Sequence, residues 1–144
     1  MAAEFVHLHT HTQYSLLDGA IKVKDLVKRV AAAGMKAVAA TDHGNMFGAV
    51  TFYKAAKDAG VRPILGCELD VVGPDGHARH LPVLASSLEG YKNLVWLVSR
   101  GQVQGAPIGI TDLASRSNGL VGMTGCHLVD GHELNSLSAE FFGV

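Results

Sequence analysis

Three histidines fall at alternate positions in the opening stretch FVHLHTHTQYSLLDG, residues 5–19: His7, His9 and His11, with Asp18 following. In an extended strand, residues i and i+2 share a face. A strand over residues 5–9 would therefore set His7 and His9 side by side. Imidazole is the commonest protein metal ligand, so such a pair is half of a metal site. Two partly buried histidines with ordinary hydrogen bonds would give the same pattern, and the rest of the chain has to decide. The stretch TDHGN, 41–45, carries Asp42 and His43. Glu68 lies within PILGCELDVV, 63–72. His80 opens HLPVLA, 80–85, and Cys126 closes LVGMTGC, 120–126.

The elements that must position these residues alternate in type. Strand patterns over 5–9, 36–40, 63–72, 80–85 and 120–126 are separated by helical stripes. The first stripe is Val23, Leu26, Val27 and Val30, with Gly34 as its C-terminal stop; the second is Ala49, Phe52, Tyr53 and Ala56, closed by Gly60. Ser86 and Glu89 have capping-box spacing ahead of a third stripe, Tyr91, Leu94, Val95 and Val98. GPDG, 73–76, is a turn by composition, 101–110 reads as a glycine-containing loop, and 112–116 as a short helix. Pro82 suggests an edge or a bulge in its strand.

Strand–helix alternation of this kind predicts an α/β fold with parallel pairing. In such folds functional residues collect at the carboxyl ends of strands. His7 and His9 end the first strand, Asp18 lies in its loop, and Asp42 and His43 directly follow the second. Glu68 sits late in the third and Cys126 ends the last. His80 begins its strand, and joins the set only if 73–77 closes a hairpin that brings residue 80 opposite residue 70, near Glu68. Imidazoles, carboxylates and a thiol converging in one concavity would be costly if left unpaired. Metal ions satisfy them: mixed N, O and S donors suit zinc, and the carboxylates also admit manganese or iron. His77 reads as a solvated turn residue, and His11 as a support behind the ligands rather than a ligand.

Composition narrows the classes. At 144 residues the chain fits one domain, 1–144. Its 48% apolar content excludes general disorder, and its net charge of −1 provides no overall basic field for nucleic acid. Cys67 and Cys126 are too few for a disulfide framework, which predicts reduced thiols and a cytoplasmic location. MAAEFVHLH lacks the pattern of a secretory signal, and no apolar run approaches the ~20 residues that span a bilayer.

HLHTHTQYSLLDG, TDHGNMFGA, FYKAAKDAG and PILGCEL resemble the polymerase and histidinol phosphatase (PHP) domain family, most closely the N-terminal PHP domains of bacterial DNA polymerase III alpha subunits. HLPVLASSLEGYKNLVWLVSRG and NGLVGMTGC follow the same pattern, so the resemblance covers residues 5–126. It implies a distorted TIM-like (β/α)7 barrel, here incomplete, around a cluster of up to three divalent metal ions. It also implies a ligand set of His7, His9, Asp18, His43, Glu68, His80 and Cys126. The family's last ligands are an Asp-x-His pair on a later strand. Asp130 and His132 have that spacing but follow Cys126 too closely for another helix and strand to intervene.

The implied activity is metal-dependent phosphoester hydrolysis, with 3′–5′ exonuclease proofreading at DNA 3′ ends as one form. The alternatives are a phosphatase for small esters such as histidinol phosphate or nucleotide monoesters, and a non-catalytic remnant. The palm, fingers and thumb of the polymerase have no counterpart, so polymerisation is not expected of these 144 residues. An incomplete barrel, with the apolar stripe Leu134, Leu137, Phe141 and Phe142 after it, predicts a homodimer.

Overall fold

The structure is a computed structural model and describes residues 5–123. Its elements are α1 (Val23–Ala32), β1 (Ala37–Ala40), α2 (Ala49–Asp58), β2 (Arg62–Val72), β3 (Ala78–Ala85), α3 (Leu88–Gln104), β4 (Ile108–Gly109), α4 (Ile110–Ser115) and β5 (Leu120–Gly122). Cys126, Asp130, His132 and the stripe from Leu134 to Phe142 lie outside the described residues.

β2 is the strand on which the others are hung. Along one edge it pairs in parallel first with β1, from Ala37↔Arg62 to Ala40↔Leu65, and then with β4, at Val71↔Ile108 and Val72↔Gly109. Between these two ladders lies a single bridge, His43↔Glu68. Along its other edge β2 pairs antiparallel with β3, which continues the sheet to β5. The α/β class is as expected, and the sheet is mixed rather than wholly parallel.

Strand alternation divides the work of β2. Cys67, Leu69 and Val71 enter a core with Leu81 and Val83 of β3 and Leu94 and Leu97 of α3. Glu68 and Asp70, on the opposite face, are left for polar partners. A second core joins α1, β1 and α2 through Val23, Leu26, Val27 and Val30 packed with Val38, Phe52 and Ala56. The first two helical stripes are thus seated as their spacing predicts, except that Tyr53 is exposed. Gly34 and Gly60 end their helices at φ 73° and 69°, a conformation costly for residues with a Cβ.

Several expectations are corrected. Residues 5–9 do not form a strand. The chain there lies along β1 and accepts hydrogen bonds from Ala39 N–H at the His7 carbonyl (2.8 Å) and from Thr41 N–H at the Thr10 carbonyl (2.9 Å). Three residues on one side span two on the other, so the extra residue breaks the ladder and the alternation of faces, as a bulge does. The cap of α3 is Ser87, whose hydroxyl accepts from Gly90 N–H at 3.0 Å. Ser86 instead donates to the Gly119 carbonyl at 2.9 Å. Part of the expected loop, 101–104, is helix: α3 runs to Gln104 and stops at Gly105 with φ 61°. Pro82 lies inside β3 and is buried; its carbonyl accepts from Met123 N–H at 2.9 Å, so its missing N–H falls on the β5 side, at the end of that ladder, and leaves the pairing with β2 intact.

The buried face of α3 is Gly90, Leu94 and Leu97, not the Tyr91–Val95 side. The reason is a backbone contact. Gly90 lies so close to the turn before β5 that an added Cβ would stand 1.8 Å from the Gly119 carbonyl oxygen. Both partners are main chain, so neither can swing away. Replacing Gly90 with alanine should therefore destabilise the protein by about 1–3 kcal/mol, the usual cost of overpacking. In urea unfolding the midpoint should fall with the slope unchanged; an unchanged midpoint would show that α3 can tilt freely from β5.

Candidate metal centre

The bridge between His43 and Glu68 sits where β2 changes partners, at the carboxyl end of β1. Two backbone bonds hold it: Glu68 N–H donates to the Asp42 carbonyl at 3.1 Å, and Gly44 N–H donates to the Glu68 carbonyl at 2.8 Å. The side chain of Glu68 is only 4% exposed. Four imidazoles surround it. His9 Nε2 lies 3.0 Å from Oε1, while His43 Nδ1, His11 Nε2 and His80 Nδ1 lie 2.9, 3.3 and 3.7 Å from Oε2. These residues, with Asp18 and Leu16, line an open cavity of about 340 Å³.

Two donor groups share Glu68: His9, His11 and Glu68 form one, and His43, Glu68 and His80 the other. In the first, His9 Nε2 and His11 Nε2 are 3.3 Å apart. A tetrahedral ion with bonds of ~2.0–2.1 Å to such donors separates them by about 3.3–3.4 Å, so the spacing fits a shared ion. Imidazole nitrogen and carboxylate oxygen are the donors that zinc, manganese and iron accept. Each group also has a second carboxylate behind it. Asp18 pairs with His11 Nδ1, and Asp70 accepts at 3.2 Å from His43 Nε2 and lies 3.2 Å from His80 Nε2.

Local charge answers to these contacts. Burial opposes a charge on His43, but hydrogen bonds to Glu68 and Asp70, together with the charge on Asp70, outweigh it and raise the imidazole above its ordinary value. Desolvation would raise Asp18; the His11 charge and hydrogen bond, assisted by the Ser15 hydroxyl, bring it below the usual carboxylate range. Burial, with the charge of Asp42, pushes the Cys67 thiol far up, so this cysteine stays a protonated core residue.

The loop bearing His9 and His11 has few ladder bonds and is fixed by side chains instead. Thr41 Oγ1 accepts from Thr10 N–H at 2.9 Å. Asp42 takes Thr12 N–H at 2.6 Å and the Thr12 hydroxyl at 2.9 Å. Asn45 donates to the Tyr14 carbonyl at 2.9 Å, and His43 N–H donates to Ser15 Oγ at 3.1 Å. Gly19 closes the loop: an added Cβ would lie 2.0 Å from the Thr12 carbonyl oxygen. TDHGN thus supplies one donor, His43, and three clamps.

Of the residues singled out from sequence, the structure gathers His9, Asp18, His43, Glu68 and His80. The hairpin register is the one required for His80, with Asp70 directly opposite it. His7 lies outside the cavity, exposed and edge-on to Phe5 at 4.7 Å between ring centres; the extra residue in the 7–10 segment turns it away. Cys126 lies outside the described residues. His11, expected behind the ligands, stands among the donors, and Asp18 stands behind it. Asp70 was missed, although its two-residue spacing from Glu68 on a strand places it on the same face.

Comparison with known proteins bears on the family and the fold. A family model described as PHP domain matches residues 7–135. DNA polymerase III subunit alpha of Helicobacter pylori (strain ATCC 700392 / 26695) is 43% identical over 133 residues, covering 85% of this chain and 11% of that protein. The Thermus aquaticus subunit is 44% identical over 140 residues, covering 85% and 12%, and the Pseudomonas fluorescens subunit 38% over 160 residues, covering 100% and 14%. The chain thus spans only a small part of the curated relatives it matches. Two solved structures share the fold. One, described as a metal-dependent phosphoesterase from Bifidobacterium adolescentis, has a TM-score of 0.55 at 21% identity and covers 68% of this chain and 33% of its own. An amidohydrolase from Chromobacterium violaceum, with bound sulfate and no metal, has a TM-score of 0.54 at 20% identity and covers 99% and 51%.

The Asp42 clamp can be tested by itself. Asp42→Ala leaves Thr12 N–H and its hydroxyl without their buried acceptor, at a cost of about 1–3 kcal/mol. Asp42→Asn keeps one acceptor and should cost less. Denaturant unfolding gives the stabilities, and the ring resonances of His9 and His11 should shift in the alanine variant. Resonances identical to those of the wild type would mean that the loop is held by other contacts.

Proposed function

This chain belongs to the PHP domain family, and on that premise we propose that it is a metal-dependent phosphoesterase whose ions are held around Glu68. The observation that carries the reading is one carboxylate, 4% exposed, ringed by four imidazoles. The ligands are His9, His11, Glu68, His43 and His80. His7 and Cys126 remain proposed members of the wider family set, along with Asp18 behind His11. Zinc and manganese are the proposed ions, and iron fits the same donors; two positions follow from the two groups, and a third is proposed from the family likeness.

Held by His9, His11, His43, Glu68 and His80, a divalent ion would supply an activated water near neutral pH and Lewis-acid polarisation of a phosphate ester. The chain's own part is to orient and enclose. Glu68 bridges both groups from the rigid centre of β2. The Thr41, Asp42 and Asn45 clamps hold His9 and His11 against it. Leu16 gives the cavity an apolar rim. No lysine or arginine lines this cavity among the described residues, so the groups there that could face a substrate phosphate are the imidazoles and the ions they would hold.

The proposed substrate is the 3′ end of DNA, supported by likeness to polymerase subunits. A small phosphate monoester is the second reading, favoured by the cavity's lack of basic residues and by the net charge of −1. Rates on labelled single-stranded DNA and on a nitrophenyl phosphate separate them. Glu68→Gln should lose bound metal and hydrolysis by more than the roughly 10–100-fold typical of losing an outer partner. The double variant His9→Ala, His43→Ala should lose stoichiometric metal, read by elemental analysis. Full metal content with no hydrolysis of either substrate would support the non-catalytic reading instead.

Self-association is part of the same proposal. An apolar groove of about 420 Å³ between α2 and the start of α3, lined by Val50, Tyr53, Leu65, Leu88 and Tyr91, supports it. Light scattering should show the mass rising from monomer to dimer with concentration; a monomer mass throughout would exclude the dimer.

A further inference from the structure

Asp70 is not among the ligand residues that the family resemblance supplies, yet it is the only carboxylate among the described residues that contacts both His43 and His80 besides Glu68. Its two oxygens divide between them: Oδ2 lies 3.2 Å from His43 Nε2, and Oδ1 lies 3.2 Å from His80 Nε2. The other nitrogen of each ring, Nδ1, faces Glu68 Oε2, at 2.9 Å for His43 and 3.7 Å for His80. The two rings meet edge to face, with centres 4.6 Å apart.

This arrangement follows from the fold. Glu68 and Asp70 are two residues apart on β2 and share a face. The β2–β3 register sets His80 directly across from Asp70. The bridge to Glu68 sets His43 alongside. One rigid hairpin therefore fixes a carboxylate on each side of the imidazole pair.

We propose that Asp70 is a positioning residue that holds His43 and His80 as a unit, accepting the Nε2–H of each so that both Nδ1 atoms are presented towards Glu68 and a shared ion. The inference rests on the metal-centre reading above and adds to it which nitrogens bind. A histidine ligand whose far nitrogen donates to a carboxylate is fixed in tautomer and ring orientation, and is a better donor for it. Here one carboxylate does this for two ligands, so a single substitution should disturb both together and leave His9 and His11 in place.

The test uses the full chain loaded with zinc, without reference to activity. Competition with a chelator should show Asp70→Ala weakening zinc binding at the His43–Glu68–His80 group by roughly 10–100-fold. Asp70→Asn removes the charge but keeps one carbonyl acceptor. It should fall between the alanine variant and the wild type, which a purely electrostatic effect would not produce. Nitrogen-15 spectra of the zinc-loaded wild type should report metal-bound Nδ1 and protonated Nε2 for both histidines, and the Nε2–H signals should broaden or vanish in Asp70→Ala. Thermal melting of both variants checks that they fold. Zinc bound through Nε2, or affinity unchanged in a folded alanine variant, overturns the role of Asp70 and leaves the metal centre standing. A wild-type chain that takes up no zinc or manganese overturns both.

Discussion

A carboxylate that is almost wholly buried must be compensated, and among the described residues the side-chain partners of Glu68 are imidazoles. Desolvating an isolated charge is far more costly than any single hydrogen bond can repay. Four histidines, from three separate parts of the chain, approach its two oxygens at 2.9–3.7 Å. The arrangement of β1, β2 and β3 serves this contact. β1 delivers His43, the segment beside β1 delivers His9 and His11, and the β2–β3 hairpin delivers His80. If Glu68 were moved one residue along β2, it would face the apolar core with Cys67 and Leu69.

The same constraint explains where polar residues are buried away from the cavity. Thr12, Thr41, Asp42 and Asn45 are all buried. Each is spent on the backbone or hydroxyl groups of the 10–15 loop, or on the turn after β1. That loop cannot rely on a sheet ladder, because the extra residue in 7–10 interrupts it. Side-chain acceptors replace the ladder, and Gly19 lets the loop close on itself. The placement of His9 and His11 thus comes from side chains nearby in sequence, Thr12 and Ser15, and across the β1 end, Thr41, Asp42 and Asn45.

Much of this was legible in the sequence. The helical stripes of α1 and α2, the strand at β1 and the places of His43 after β1 and Glu68 in β2 follow from periodicity and from the rule on strand ends, whereas the hairpin that brings in His80 was only a condition, and His9 reaches the cavity without the strand expected over 5–9. What was not legible depended on contacts distant in sequence. The displacement of His7 comes from an offset between two neighbouring segments that neither sequence reveals alone. The rotation of α3 comes from the Gly90–Gly119 backbone contact, which outweighs a plausible stripe of larger apolar residues. The exchange of places between His11 and Asp18 depends on how the 12–19 turn folds back. Asp70 is available by simple alternation from Glu68, since residues two apart on a strand share a face.

The central claim is that Glu68 is shared by two ions. Anomalous diffraction at the zinc edge, from crystals of the zinc-loaded chain, tests it most directly. Two peaks are expected, one by His9 and His11 and one by His43 and His80, each within ~2.0–2.3 Å of a Glu68 oxygen and of its imidazole nitrogens. Peaks placed elsewhere, or a cavity with no anomalous signal in crystals grown with excess zinc, would contradict it.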